Sequence, residues 1–243
     1  MANQLEVKQR EFAAAKGVKL YGELGLGHLG SEAICHSKIL EAHALPGQVI
    51  IGSDSHTPHA GAVGCIAFGV GTTAVFNSWI TRDVRVQVPK SFRVVVRGRK
   101  PRHVTAKDIM LQLLRHPYVK NGDAIGQVVE YCGEAVEDLS VDERATMTNM
   151  AAEVGAFTGI IAPDERTVQY LVEQRGMART DAQRLCEGLF RTAQVNLRAV
   201  IPTRRISDSI FWFSLWIGCD SFKRLIREEI GDAAGDHERR TFD

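Results

Sequence analysis

Gln48 Val49 Ile50 Ile51 Gly52 Ser53 Asp54 Ser55 His56 Thr57 is the stretch that decides how this chain folds. A short apolar run ends directly in an acid, a hydroxyl and an imidazole on consecutive residues. A brief apolar run bounded by turn residues suits a buried strand. In an open α/β sheet, ligands bind at the carboxyl ends of the strands. Three different polar groups can converge at such an end because the backbone leaves the pleat there and its side chains stop alternating.

Upstream, residues from about Gln9 to Phe76 alternate short apolar runs with Gly-rich turns and helix-like stretches, the rhythm of β-α-β units around a parallel sheet. The pattern predicts strands at 18–20 and 48–51. Between them a helix is expected over 31–44, opened by a capping Ser31 and carrying Ile34, Ile39, Leu40 and Ala44 on one face. Leu45 Pro46 Gly47 then turns the chain. The Gly- and Ala-rich segment 60–73 permits close approach of a helix to a sheet or a ligand.

Downstream, alternation with a period of two (Val84, Val86, Val88, then Phe92, Val94, Val96) predicts two short strands separated at Pro89 Lys90 Ser91. Thr105 with Asp108 predicts a capped helix through Leu114, closed off by Pro117. Residues 128–132 are a further strand candidate. Ser140 with Glu143 forms a second capping box, opening a helix that runs to about Val154 and ends at Gly155 in a left-handed cap. Within it Asn149 and Glu153 stand four residues apart and share a face.

Bulk properties narrow the function less. A chain of 243 residues with 44% hydrophobic content can bury a real core. Its 30 Lys and Arg nearly balance 29 Asp and Glu, so no global field draws it to nucleic acid or anionic lipid. No apolar run approaches transmembrane length and residues 1–10 are charged rather than signal-like, so a cytoplasmic protein with no membrane partner is expected. The run 210–217 is too short to span a bilayer and reads as a core piece, an interface or an exposed liability. Five widely spread cysteines, Cys35, Cys65, Cys132, Cys186 and Cys219, form no CxxC pair, so neither a disulfide framework nor a closed zinc site is indicated.

Three local signals compete with the strand-end site. Gly25 Leu26 Gly27 His28 Leu29 Gly30 matches GxGxxG, yet the strand before it is short, partly polar and separated from it by Gly22 Glu23 Leu24, which fails the context that motif requires. The stretch 82–102 carries eight basic residues against one acid, but they alternate with valines and only Phe92 interleaves, as on a solvated sheet face. His36, Asp54, His56 and His59 suit either a mononuclear metal or proton transfer by histidines held on carboxylates.

Taken together, residues 30–75, GSEAICHSKILEAHALPGQVIIGSDSHTPHAGAVGCIAFGVGTTAV, resemble the signature region of the aconitase superfamily, closest to the large subunit of 3-isopropylmalate dehydratase. The resemblance continues through Thr105 Ala106 Lys107 Asp108 Ile109, through Val129 Glu130 Tyr131 Cys132 Gly133 Glu134 Ala135, and from Thr146 Met147 Thr148 Asn149 Met150 to Ala162 Pro163 Asp164 Glu165, covering about residues 9–190. It implies an α/β fold of three-layer α/β/α aconitase-type domains with a mostly parallel sheet, here incomplete. Residues 1–90 would be part of the first such domain, 91–190 the second, and 191–243 an unassigned divergent tail.

The activity so implied is that of an iron-sulfur hydro-lyase, dehydrating and rehydrating a hydroxy di- or tricarboxylic acid such as 3-isopropylmalate in leucine biosynthesis, from a truncated large subunit. An aconitate hydratase-like enzyme, or an inactive remnant that keeps a binding pocket, are the alternatives. The family uses a 4Fe-4S cluster whose open iron binds the substrate hydroxyl as a Lewis acid, with a base on a swivel domain or small subunit. Carried over residue by residue, His36 pairs with Asp54 and His56 with Glu153 as catalytic imidazole and carboxylate pairs. Asn149 lies at the cluster and substrate edge, and Ser55 donates to a substrate carboxylate. Thr148 stands where family members often carry a cysteine that is not a cluster ligand. The family's third Asp-His pair and its cluster cysteines, in an SCTN-like segment and a CxxC pair, have no counterpart in this sequence, and Cys219 is no substitute. The expectation is therefore a truncated or frame-shifted product that holds no stable cluster alone.

Overall fold

A computed structural model describes residues 2–21, 34–81, 83–190 and 212–217. In chain order the elements begin with α1 (Ala2–Lys16), α2 (Cys35–Ala42), β1 (Val49–Gly52), a 3-10 helix (Thr57–Val63), β2 (Ile66–Gly69) and α3 (Thr72–Thr81). They continue with β3 (Ser91–Arg97), α4 (Ala106–Leu114), α5 (Pro117–Lys120), β4 (Val128–Cys132), α6 (Glu134–Glu137), α7 (Val141–Asn149), α8 (Ala151–Val154) and β5 (Thr158–Ile161). Helices α9 (Glu165–Arg175) and α10 (Arg179–Phe190) and strand β6 (Trp212–Ile217) complete the described chain.

Two small sheets organise these elements. Strands β1 and β2 pair in parallel, with Val49 opposite Ile66 and Gly52 opposite Gly69. The second sheet has the order β5-β4-β3-β6, parallel from β5 to β3. Parallel neighbours need a crossover of a dozen or more residues. The 3-10 segment supplies it for β1 to β2, α4 and α5 for β3 to β4, and α6 to α8 for β4 to β5. This is the α/β architecture with parallel sheets that the alternating sequence texture implies. Strand β6 is the exception, lying antiparallel to β3 with Phe92 opposite Ile217 and Arg97 opposite Trp212. The apolar run 210–217 thus contributes an edge strand over 212–217.

The main core lies on one face of the second sheet. Phe92, Val94 and Val96 of β3, with Val129 and Tyr131 of β4, meet Ala106, Ile109, Met110 and Leu113 of α4 and Met147, Ala151 and Val154 of α7 and α8. Each large aliphatic side chain buried here contributes roughly 1.5–3 kcal/mol, an upper range because the unfolded chain already hides some surface. The opposite face of β3 and β4 carries Arg93 on Glu130 at 3.1 Å. There Val128 joins Ile66 and Phe68 of β2.

Helix α7 is buried on two sides. Met147 faces the main core while Val141 and Ala145 pack with Leu40 of α2, Ala60, Ala62 and Val63 of the 3-10 segment, and Ala67 of β2. That position explains a fully buried arginine in its middle. Arg144 makes two bonds to Asp164, at 2.7 and 2.5 Å, and a third to the Glu137 carbonyl at 2.9 Å. Asp164 in turn caps α9 by accepting from Arg166 and Thr167. Arg175 near the end of α9 donates to the Leu40 and Glu41 carbonyls of α2, so α9 straps both halves together.

Several elements depart from the sequence reading. Residues 18–20 form no strand, because the chain has just left α1 and Val18 is exposed with no neighbour strand to pair among the described residues. Of the two alternating strands after Val84 only β3 forms; Val84 and Val86 instead pack as irregular chain beside Ile66 and Phe68. Helix α2 starts at Cys35 without a side-chain cap, and Ser31 lies outside the described residues, as does the GxGxxG segment. Pro117 does not merely end α4 but occupies the first turn of α5. The helix from Ser140 breaks at Met150 into α7 and α8, then ends at Gly155 with φ 73°. Both predicted capping boxes are present, on Thr105 with Asp108 and on Ser140 with Glu143.

Candidate active site

Strand β1 stops at Gly52, and the next residues fold into a turn built around one carboxylate. Asp54 Oδ1 accepts from the His56 amide at 2.8 Å, while the Asp54 carbonyl accepts from Thr57 Oγ1 at 2.6 Å. Asp is suited to this because its side chain bonds its own backbone two residues on. The turn brings the second residue of α2 into reach, and His36 Nε2 lies 3.0 Å from Asp54 Oδ1. A carboxylate only accepts, so that ring nitrogen carries the proton. The His56 amide first of all, then the His36 and His56 imidazoles, hold the Asp54 carboxyl below its ordinary value against a smaller opposing effect of burial.

The second contact crosses the molecule. His56 Nε2 lies 3.4 Å from Glu153 Oε1 in the first turn of α8, a separation of 97 residues along the chain. The other ring nitrogen, Nδ1, lies 3.3 Å from Ser55 Oγ. With Nε2 donating to the carboxylate, neutral Nδ1 is left to accept from the serine hydroxyl. The His36 side chain is only 15% exposed, against 56% for Asp54 and 44% for Glu153, so the imidazole lies deeper than the two carboxylates. Asn149, one turn before Glu153, is half-buried, and its carboxamide has no hydrogen-bond partner among the described residues.

His59 is the third imidazole of the group. Its ring centroid is 6.2 Å from that of His36, the same distance as His36 to His56. It has no carboxylate within hydrogen-bond reach among the described residues, and its Nδ1 is buried without a partner. Burial first, and the neighbouring His36 second, push it down to about 4, Asp142 opposing. His59 is therefore neutral near pH 7. The sequence left two uses open to this histidine cluster, proton handling and metal binding. Among the described residues no three of His, Cys, Asp and Glu gather as a metal-holding group.

The cysteines do not fit a 4Fe-4S cluster either. Cluster ligands are thiolates. Cys65 is buried, donates to the Leu45 carbonyl at 3.0 Å, and is pushed up to about 12 by burial. Cys186 is likewise pushed up to about 11 by burial. Cys35 is exposed and Cys132 intermediate, on different elements, and Cys219 lies outside the described residues.

Residues to which the sequence reading gave no role in the site hold this arrangement. Thr148 Oγ1 donates to the His59 carbonyl at 2.9 Å, and Thr158 Oγ1 to the Ala67 carbonyl at 2.5 Å. Gly61 lies so close to β5 that a Cβ there would sit 1.9 Å from the Gly159 carbonyl oxygen. The Asp164 cap was legible as an acid three residues before Thr167. Nothing local to Arg144 signals its burial.

The family model described as "Aconitase family (aconitate hydratase)" matches residues 1–197. The chain is 36% identical over 183 residues to the methanogen homoaconitase large subunit of Methanocaldococcus jannaschii, covering 75% of this chain and 43% of that protein. It is 43% identical over 163 residues to the 3-isopropylmalate dehydratase large subunit 1 of Pyrococcus furiosus, covering 67% of this chain and 37% of that protein. The probable 3-isopropylmalate dehydratase large subunit of Methanothermobacter thermautotrophicus is 35% identical over 176 residues, 72% of this chain and 40% of that protein. The chain spans about two fifths of the length of these curated relatives.

Proposed function

This chain belongs to the aconitase family, and on that premise we propose that it is part of the large subunit of a hydro-lyase acting on a hydroxy di- or tricarboxylic acid of the 3-isopropylmalate type, in the cytoplasm and in leucine biosynthesis. The observation that carries the reading is the convergence, at the end of β1, of two imidazole and carboxylate pairs, His36 with Asp54 and His56 with Glu153. Loss of water from such a substrate breaks a C–O bond with the electron pair leaving on oxygen. The oxygen must be protonated to depart as water, and an imidazole backed by a carboxylate both stores that proton and recovers it in hydration. With substrate bound, the Ser55 hydroxyl turns from His56 Nδ1 to donate to a substrate carboxylate, and the Asn149 carboxamide, without a partner among the described residues, is available to the substrate. The proton on the carbon next to the carboxylate goes to a base outside this chain, on a swivel domain or small subunit. That relatives are named large subunits supports such a partner.

The described cysteines do not fit an iron-sulfur cluster: burial keeps the Cys65 and Cys186 thiols protonated, and Cys35 and Cys132 stand on different elements. The chain alone is expected to bind no cluster, and iron and sulfide analysis after anaerobic reconstitution, returning a full cluster per chain, would overturn that. The functional test is hydration of the unsaturated acid by the purified chain, with and without a small-subunit partner, followed by loss of ultraviolet absorbance. Activity that needs the partner and disappears in His56→Asn supports the reading. Inactive protein in every combination favours a remnant that keeps the substrate side of the site, a second reading that the misfit of the cysteines supports.

A further inference from the structure

The two pairs are held by different means. His36 and Asp54 lie 18 residues apart and are tied through one turn, whereas His56 and Glu153 meet only if the 3-10 segment is seated on α7. Their own contact is long and between partly exposed groups, 37% and 44% exposed at the side chains, so it is too weak to set that seat itself. The seat is made behind them. Gly61 allows backbone contact with Gly159, and Thr148, with no exposed surface, donates its hydroxyl to the His59 carbonyl at 2.9 Å.

We propose that Thr148 is a positioning residue for the His56 and Glu153 pair: its buried hydroxyl fixes the turn carrying His56 against the helix leading to Glu153. This rests on reading those two side chains as a functional pair. A hydroxyl has one proton, and the cross-chain acceptor at 2.9 Å is nearer than the helix's own Ala145 carbonyl at 3.3 Å. His59 follows His56 by three residues and Thr148 precedes Glu153 by five, so the bond closes a short loop of structure whose open end is the pair.

The test is a nuclear Overhauser measurement on full-length protein with protonated His, Asp and Glu in a deuterated background. The unaltered chain should show a cross-peak between the His56 ring and the Glu153 side chain, and Thr148→Val, which keeps the shape and removes the donor, should weaken it several-fold. Thr148→Ser should restore it. The His36 to Asp54 cross-peak should be unchanged throughout, which separates a local shift from general loosening. If the Val variant does not fold, Thr148→Ala, which relieves bulk, carries the same test. A full-strength His56 to Glu153 cross-peak in a folded variant lacking the hydroxyl overturns the proposal alone. No such cross-peak in the unaltered protein overturns both the proposal and the pair it rests on.

Discussion

The two sheets of this molecule are stabilised in different ways. Around β3 and β4 the core is made of large side chains, Phe92, Ile109, Met110, Leu113, Tyr131 and Met147, interlocked in one cluster. On the face of β1 and β2 that meets the 3-10 segment it is made mostly of small ones, Ala44, Ala60, Ala62, Val63 and Ala67, closed by Val141 and Ala145 borrowed from α7. Small side chains bury little apolar area but let backbones approach. The region that bears Asp54 and His56 therefore depends on being pressed against the other, and the precision of the site is set by that contact.

Breaking the contact should have the largest effect. In Gly61→Ala the new Cβ would meet backbone rather than a flexible side chain, so rotamer changes cannot relieve it. We expect a loss of more than about 4 kcal/mol in urea unfolding, at the extreme of single-substitution effects. A loss under about 1 kcal/mol would show that the contact is soft and that the small-residue region supports itself.

Next in size is the ion pair that fixes α7 to α9. Asp164→Ala leaves the Arg144 guanidinium buried without its counter-charge and removes the cap of α9, and should cost about 3–5 kcal/mol by chemical denaturation. Because α7 serves both cores, both regions should lose protection from hydrogen exchange together. Selective loss around β1 and β2 alone would instead place the strap only at the site.

Acid should act most strongly on the site side, where His59 is shifted furthest; His116 at the start of α5 is lowered by burial too. His59 has a folded value near 4 against 6.5 when unfolded. Between those values the unfolded chain takes up a proton that the folded one does not, so stability falls as pH drops through that window and levels off below it. The loss is at most about 3 kcal/mol. Asp54, whose carboxyl is held below its ordinary value, adds a further loss only as pH falls through its folded value. Unfolding measured at pH 7 and pH 5 should show the first decline, and His59→Gln should flatten it.

The smallest effect belongs to the self-supporting side. Thr105→Ala removes one capping bond to the Asp108 amide at an exposed helix start and should cost about 1 kcal/mol. It should leave the His56 and Glu153 contact untouched. A shift of that contact would mean that the two regions are more tightly coupled than their cores suggest.

Local signals in the sequence were dependable where the physics was local. Capping boxes at Thr105 and Ser140, the left-handed end at Gly155 and the strand before Gly52 all follow from neighbours a few residues apart. The strand expected at 18–20 and the one before Pro89 failed because a strand exists only with a partner, and none pairs there. Helix α1, whose larger apolar residues Leu5, Val7 and Phe12 do not recur at a steady helical spacing, gave no periodic signal. Strand β5 and helices α9 and α10 went unread because each is defined by what it packs on.

By itself the sequence determined the family, the α/β class and the residue types at the site, since the order of DSH, TAKD and TNMAAE motifs survives without any fold in view. Only the tertiary structure decided how the groups meet. It brought Glu153 within 3.4 Å of His56 across 97 residues and buried His59 beside His36 with a ring nitrogen unpartnered. It also made Thr148, Gly61 and Arg144, none of which the sequence tied to the site, into its supports. Contacts between distant segments depend on how closely two surfaces can approach, and that distance is a property of the packed chain rather than of any one stretch of it.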